Sequence, residues 1–328
     1  MAIVYCKRLL DFEQWEGHPE SPFRLKTMMK KLSSEGLWEG VTSPFEINDE
    51  DVLRVHTERH LDRLKKGGNV ALDADTILWD TSYEYSMLSA GVACTAVSLA
   101  MDEIPAFALT RPPGHHAGRD FMGGFCYLNN VAIATARAGV RTAIVDIDAH
   151  HGNGTENIFY GRDDVLFIDI HEDGLFPGSG HMEDVGEGKG EGYTVNIPVP
   201  AGSGNRTYMK AHDEIVFPVL RQFRPELLVV SMGVDAHYCE KYSHINLNTK
   251  CYIDMFKKLL AESSHRKIAF VLEGGYHLRA TAEVAAGLMA ALEDREIRPE
   301  YNEERKESAN GPRAVDRARD HHSRYWKL

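Results

Sequence analysis

A chain of 328 residues, 43% hydrophobic and 26% charged, is long enough to bury a sizeable core around one α/β sheet. With 49 acidic against 37 basic side chains the net charge is −12, which argues against a nucleic-acid backbone as partner and suits a cationic substrate. Cys6, Cys94, Cys126, Cys239 and Cys251 form no CxxC pair, no apolar leader opens the sequence, and no run of about 18 apolar residues could span a bilayer. These features point to reduced thiols, a cytoplasmic location and no membrane partner, and leave a homo-oligomer open.

Ala2–Cys6 reads as a first strand, and His18-Pro-Glu-Ser-Pro-Phe-Arg24-Leu as a turn feeding a helix that ends near Ser34. Another strand is expected over 41–47, then two short helices over 49–66, with His56 and His60 as surface or capping residues. A long helix packed by Ala90, Gly91, Ala93 and Ala96 covers 83–102, and Phe107–Thr110 reads as a buried strand. From there helices over 126–138, 206–222, 249–262 and 276–292 alternate with strands over 142–147, 165–170, 193–197, 227–232 and 268–272. That alternation predicts a mostly parallel sheet with helices on both faces, and a ligand site at the carboxyl ends of its strands. Residues 1–295 form one catalytic domain on this reading, and 296–328 a charged tail whose Tyr325-Trp326 docks on the same body. The glycines at 186, 188, 190 and 192 lack the lysine and helix of a phosphate loop and read as a turn.

The polar clusters follow directly after apolar runs. In Ala143-Ile-Val-Asp-Ile-Asp-Ala-His150-His-Gly-Asn153, alternation along a strand would point Asp146, Asp148 and His150 the same way. Buried carboxylates need a compensating positive charge. A divalent ion on Asp148 and His150, joined by Asp235 from the end of strand 227–232, makes an Asp₂His site with one position left for water, as catalytic zinc requires. The alternatives are solvated acids at a strand end, and Asp235 as a helix cap. His115-His116, on the stiff turn after Arg111-Pro-Pro-Gly, suit acid–base work near neutral pH, with Asp146 and Asn153 available as orienting acceptors. They could instead form a second metal site. Glu273-Gly274-Gly-Tyr276 brings backbone close to the site and offers a hydroxyl to a developing oxyanion. Phe121, Phe125, Phe176 and Tyr276 could equally be packing residues, and Cys126 is a weaker candidate nucleophile.

Together these motifs resemble the zinc-dependent histone deacetylase-like amidohydrolases, the group containing class II histone deacetylases, bacterial homologues and acetylpolyamine amidohydrolases. The resemblance spans residues 15–295 and rests on His18-Pro-Glu-x-Pro-x-Arg-Leu, Arg111-Pro-Pro-Gly-His-His-Ala, Gly124-Phe-Cys-Tyr-Leu-Asn-Asn, Asp146-Ile-Asp-Ala-His-His-Gly-Asn-Gly-Thr, Phe176-Pro-Gly, Asn196-Ile-Pro, Gly233-Val-Asp-Ala-His and Glu273-Gly-Gly-Tyr. It implies the arginase–deacetylase fold, a single three-layer domain around an eight-stranded parallel sheet. It also implies zinc (or, in the cell, iron(II)) on Asp148, His150 and Asp235, and a structural potassium on carbonyls near Asp146, Asp148 and His150. By the same resemblance His116 is the general base and then acid, and His115, held by Asp146, an electrostatic partner. Tyr276 polarises the carbonyl, Phe125 and Phe176 wall an acyl tunnel, the Gly124 carbonyl takes the substrate amide N–H, and Arg24 lines the inner end.

Two departures bear on substrate. Asn153 follows class II where class I has aspartate. Glu240-Lys241-Tyr242 stands where the family often reads Asp-Pro-Leu, and Tyr242 occupies the place of the glutamate gatekeeper of the polyamine-selective eukaryotic member. The reading is therefore a deacylase for an acyl amide on a cationic amine, with acetyl-lysine in a protein or peptide preferred. Acetylpolyamine hydrolysis, with Glu240 standing in for that gatekeeper, is the alternative. A two-manganese ureohydrolase and an acyl-ligand sensor without turnover are the rivals of other kinds.

Overall fold

The computed structural model describes residues 1–263 and 266–328. Its strands are β1 (Ala2–Val4), β2 (Val41–Thr42), β3 (Val70–Ala71), β4 (Ile77–Leu78), β5 (Ala106–Ala108), β6 (Thr142–Asp146), β7 (Val165–Glu172), β8 (Thr194–Val199), β9 (Leu227–Met232) and β10 (Ile268–Leu272). Apart from the antiparallel β3–β4 pair, they form one eight-stranded sheet in the order β2-β1-β5-β10-β9-β6-β7-β8, every pairing parallel. The expected single α/β sheet is thus present. Strands β6, β9 and β10 are buried along their whole length because helices cover both faces, which is why they read as unbroken apolar runs rather than alternating ones.

Several elements differ from expectation for identifiable reasons. The strand expected over 41–47 stops at Thr42, ahead of Pro44, which has no N–H for a ladder. The helix expected from 126 begins at Asn130 because the Asn129 side chain caps it, accepting from Ala132 N at 2.9 Å. The helix expected over 206–222 contains a π turn at His212–Val216 between Asn205–Ala211 and Phe217–Phe223. There Pro218 cannot supply an α-helical hydrogen bond. His56 and His60 are not surface residues: both are buried, with rings stacked at 4.3 Å, and they donate to the carbonyls of Gly118 and Tyr127.

The charged tail holds a helix that composition did not reveal, Gly311–His322. Its buried Val315 and Ala318 pack on the body, and His322 Nε2 donates to Asn196 O of β8 at 2.9 Å. Trp326 docks edge-on against Tyr193 and donates to Gly192 O.

Candidate active site

The central strands end level with one another. Asp146 pairs in register with Ser231, and Leu272 with Met232. Hydrogen bonds then continue past the strands, from Ile147 N to Ser231 O and from Glu273 N to Met232 O. Residues 147–150, 233–235 and 273–276 therefore leave the sheet side by side at its carboxyl edge. β6 itself stops at Asp146, so strand alternation is not what gathers the acids. Asp146 Oδ1 accepts from Asp148 N at 3.0 Å and Asp148 Oδ1 from His150 N at 2.9 Å, two successive side-chain turns that fold the segment inward.

Asp148, His150 and Asp235 meet there, each offering a ligand atom within 4.8 Å of the others. Among the described residues this is the one such cluster of His, Cys, Asp and Glu. His150 Nδ1 lies 3.0 Å from both Asp148 Oδ1 and Asp235 Oδ2, while its Nε2 donates to Tyr242 O at 3.2 Å, which fixes Nδ1 as the nitrogen facing the carboxylates. Both acids are fully buried. Burial pushes the Asp235 carboxyl up to about 6, and Asp148 beside it adds to the push. Burial opposes charge on His150, yet Asp235 and Asp148 outweigh it and hold its pKa near 10. The trio thus calls for one more positive charge than its own side chains carry comfortably. Two carboxylates and an imidazole nitrogen are a donor set suited to a divalent cation.

The histidine pair sits above this cluster, with rings 4.0 Å apart. His115 Nδ1 donates to Asp146 Oδ2 at 3.1 Å and His116 Nδ1 to Asn153 Oδ1 at 2.8 Å, so each presents Nε2 on the opposite side. Their surroundings set them apart. Burial works against charge on His115, but Asp148 and Asp146 prevail and hold its pKa above the ordinary value. Burial, then the neighbouring His115 and His150, drive His116 well below that value, so it stands neutral and ready to accept a proton.

These groups floor a cavity of about 210 Å³ walled by Gly124, Phe125, Leu175, Phe176 and Tyr276, with Tyr242, Asp73 and Asp75 also lining it. The Phe176 ring packs edge-on against His116 at 5.0 Å, and Phe125 against Tyr276 at 5.6 Å. Gly124 is obligatory: its φ is +54°, and a Cβ there would stand 2.4 Å from the His116 ring. Burial pushes the Tyr276 hydroxyl well above its usual pKa against the opposing pull of Arg24, so it remains a proton donor.

Arg24 does not line this cavity. Its guanidinium lies behind Tyr276, 4.9 Å from the ring centre, and donates to the carbonyls of Gly275 and Glu273. Gly274 is also absent from the walls. It approaches the Asp148–Asp235 pair from beneath, its N–H donating to Asp148 Oδ2 at 2.9 Å. Cys126 is buried outside the lining, and burial followed by Glu273 raises its thiol pKa well above normal, which makes it unfit as a nucleophile.

Sequence reasoning missed one acid, Asp73, and the contacts of two others. Asp73 accepts from Gly124 N, and Glu273 from the N–H groups of Gly114 and His115. Glu240, considered as a rim acid facing substrate, is instead turned onto the backbone of Tyr276 and His277. A buried acid directly after an apolar strand was the available signal for Glu273; Asp73 and Glu240 carry none, because they lie within loops.

A histidine pair, a tyrosine hydroxyl and a cation-binding donor set gathered at the carboxyl edge of a parallel sheet define a candidate hydrolase site. Residues 18–292 match the histone deacetylase domain, and the chain belongs to that family. It is 38% identical to a probable deacetylase of Archaeoglobus fulgidus, over 99% of this chain and 98% of that protein. It is 40% identical to a histone deacetylase-like amidohydrolase of Pseudomonas aeruginosa, over 79% and 73%. The crystal structure of the HDA15 HD domain superposes with a TM-score of 0.91 at 31% identity, covering 99% of this chain and 95% of that one. The protein is accordingly a hydrolytic deacetylase acting on an acylated amine. No helix among the described residues is long and apolar enough to cross a membrane.

Proposed function

We propose that this chain is a zinc-dependent deacylase that hydrolyses acyl amides on cationic amines, with acetyl-lysine in a protein or peptide as the preferred substrate. The observation that carries the proposal is the meeting of the Asp148, His150 and Asp235 ligand cluster, neutral His116 and the proton-donating Tyr276 on the floor and wall of one apolar cavity. Asp148, His150 and Asp235 would hold the zinc, which would supply Lewis-acid polarisation of the carbonyl and of the attacking water; iron(II) would suit the same donors. His116 Nε2 takes a proton from the attacking water. The Tyr276 hydroxyl donates to the carbonyl oxygen as it gains charge. Protonated His116 then gives its proton to the leaving amine, completing conversion of amide and water to carboxylate and amine. His115 stays paired with Asp146 and steadies charge nearby. Asn153, an amide rather than an acid, holds the His116 tautomer and favours its protonated form, though burial, His115 and His150 outweigh that pull.

Phe125 and Phe176 would grip the alkyl chain between them, and the Gly124 carbonyl would receive the substrate N–H. Asp73 and Asp75 at the lining support a cationic substrate. The second reading, an acetylpolyamine substrate, draws on the same two acids. It gains nothing from Glu240, whose carboxylate is engaged with main-chain N–H groups. Potassium belongs to the proposal as well. It would sit on main-chain carbonyls near Asp146, Asp148 and His150, beside the fully buried Asp169, whose carboxylate accepts from Gly152 N and His171.

Tyr276→Phe is expected to keep its zinc and lose on the order of 10²–10³ in kcat. Full turnover with the phenylalanine would refute the role. A side-by-side comparison of acetyl-lysine peptides, acetylpolyamines and longer acyl amides tests the substrate; higher kcat/KM on the polyamines would overturn the preference.

A further inference from the structure

Tyr276 follows two glycines, and Gly275 has a φ of +112°. Such a link lends the tyrosine backbone no stiffness of its own, so something outside must fix where the phenol points. On one side Arg24 takes the carbonyls of Glu273 and Gly275. On the other stands Glu240. Its Oε2 accepts from Tyr276 N at 2.6 Å and His277 N at 3.0 Å, and its Oε1 from Lys241 N at 2.8 Å. A carboxylate receiving three N–H groups forms stronger bonds than neutral acceptors would, and two of these donors precede the helix Leu278–Leu292 with no bond inside it. The same stretch places Tyr242 edge-on to the Tyr276 ring at 5.3 Å and lends its carbonyl to His150.

We propose that Glu240 is a positioning residue for this reaction: it clamps the main chain at Tyr276 and thereby sets where the phenol hydroxyl meets the substrate carbonyl. The inference rests on the role proposed for Tyr276. With the clamp gone, the Gly-Gly link lets the hydroxyl wander. A misplacement near 1 Å costs on the order of 10–10²-fold in rate.

The test is a double-mutant cycle on the zinc-loaded full chain with an acetyl-lysine peptide, using Glu240→Ala, Tyr276→Phe and both together. Metal content and amide hydrogen exchange over residues 273–278 are measured alongside. Glu240→Ala is expected to lower kcat about 10–10²-fold with little change in KM or bound zinc, and to speed exchange at those amides. In the Tyr276→Phe background the same change should cost less than about 3-fold, because the group being positioned is already absent. Glu240→Gln, which keeps one oxygen acceptor, should fall between wild type and alanine, and it completes the cycle if the alanine variant fails to fold. An equal loss in both backgrounds, or wild-type kcat with Glu240→Ala, overturns the clamp while leaving the functional reading intact. Wild-type turnover by Tyr276→Phe alone overturns that reading and the clamp with it.

Discussion

Gly233 and Gly274 flank the carboxylates of Asp148 and Asp235 and contribute only backbone. A Cβ on Gly274 would stand 2.2 Å from Asp235 Oδ2 and 2.6 Å from Asp148 Oδ2; one on Gly233 would lie 2.1 Å from Asp148 Oδ2. Neither glycine has a positive φ, so the demand is for space rather than for unusual backbone. Gly274→Ala is therefore expected to splay the two acids and weaken metal binding by about 10–100-fold, the range found when groups supporting metal ligands are lost. Zinc titration of the purified variant checks this, and unchanged affinity would show that the acids do not act as a pair. That Asp148, His150 and Asp235 would meet was readable in the sequence, because acids and a histidine at the ends of apolar strands have few other uses. Arg24 was expected at the inner end of the site; its guanidinium stands 4.9 Å from the Tyr276 ring centre. Its distance to Tyr276 depends on how the first helix packs against the loop after β10, which no local pattern encodes.

The helix Gly311–His322 lies along β8, one of the two sheet edges, and screens its main chain from other molecules. Buried Val315 and Ala318 seat it, while the adjoining Arg319 and Asp316 pair with Glu214 and Lys210. Val315→Asp would bury an unpaired charge and should cost about 2–4 kcal/mol. A lower melting temperature together with association on light scattering is the expected result, since the uncovered edge can pair with another chain. A monomer of unchanged stability would mean that the helix is dispensable. Long buried strands and well-capped helices were predictable at this scale: the helix Thr249–Glu262 and the strands Leu227–Met232 and Ile268–Leu272 lie where periodicity placed them. The tail helix was not. Its small, charge-flanked apolar stripe has meaning only against the strand edge it covers.

Across the whole molecule, buried ionisable groups fall into two populations that respond oppositely to pH. Burial, reinforced by His60, lowers His56 to about 3. Burial also lowers His60, His212, His237 and His322 to about 4, and four of these five rings donate to main-chain carbonyls while neutral. Because the unfolded chain protonates them near 6.5, their contribution to stability is complete above that pH and is lost as pH falls toward 4. Most of the site groups have the reverse sign, His116 being the exception that goes with the distal histidines. Burial raises Asp235 to about 6 and Glu273 to about 7, and the two acids overcome burial to hold His150 near 10. Between pH 4 and 8 the folded, metal-free site binds more protons than the unfolded chain, so it favours acid and loses stability as pH rises. A divalent ion on Asp148, His150 and Asp235 displaces those protons, so the stabilisation it brings must grow with pH. Metal-stripped protein should then show a shallow dependence of melting temperature on pH from 5 to 8, the two populations offsetting each other. Zinc-loaded protein should lose stability steeply below about 6.5, where the distal histidines and competing protons act together. Melting curves in chelator and in excess zinc across that range measure both slopes. A zinc-induced rise in melting temperature as large at pH 5 as at pH 8 would mean that these side chains do not exchange protons for the ion.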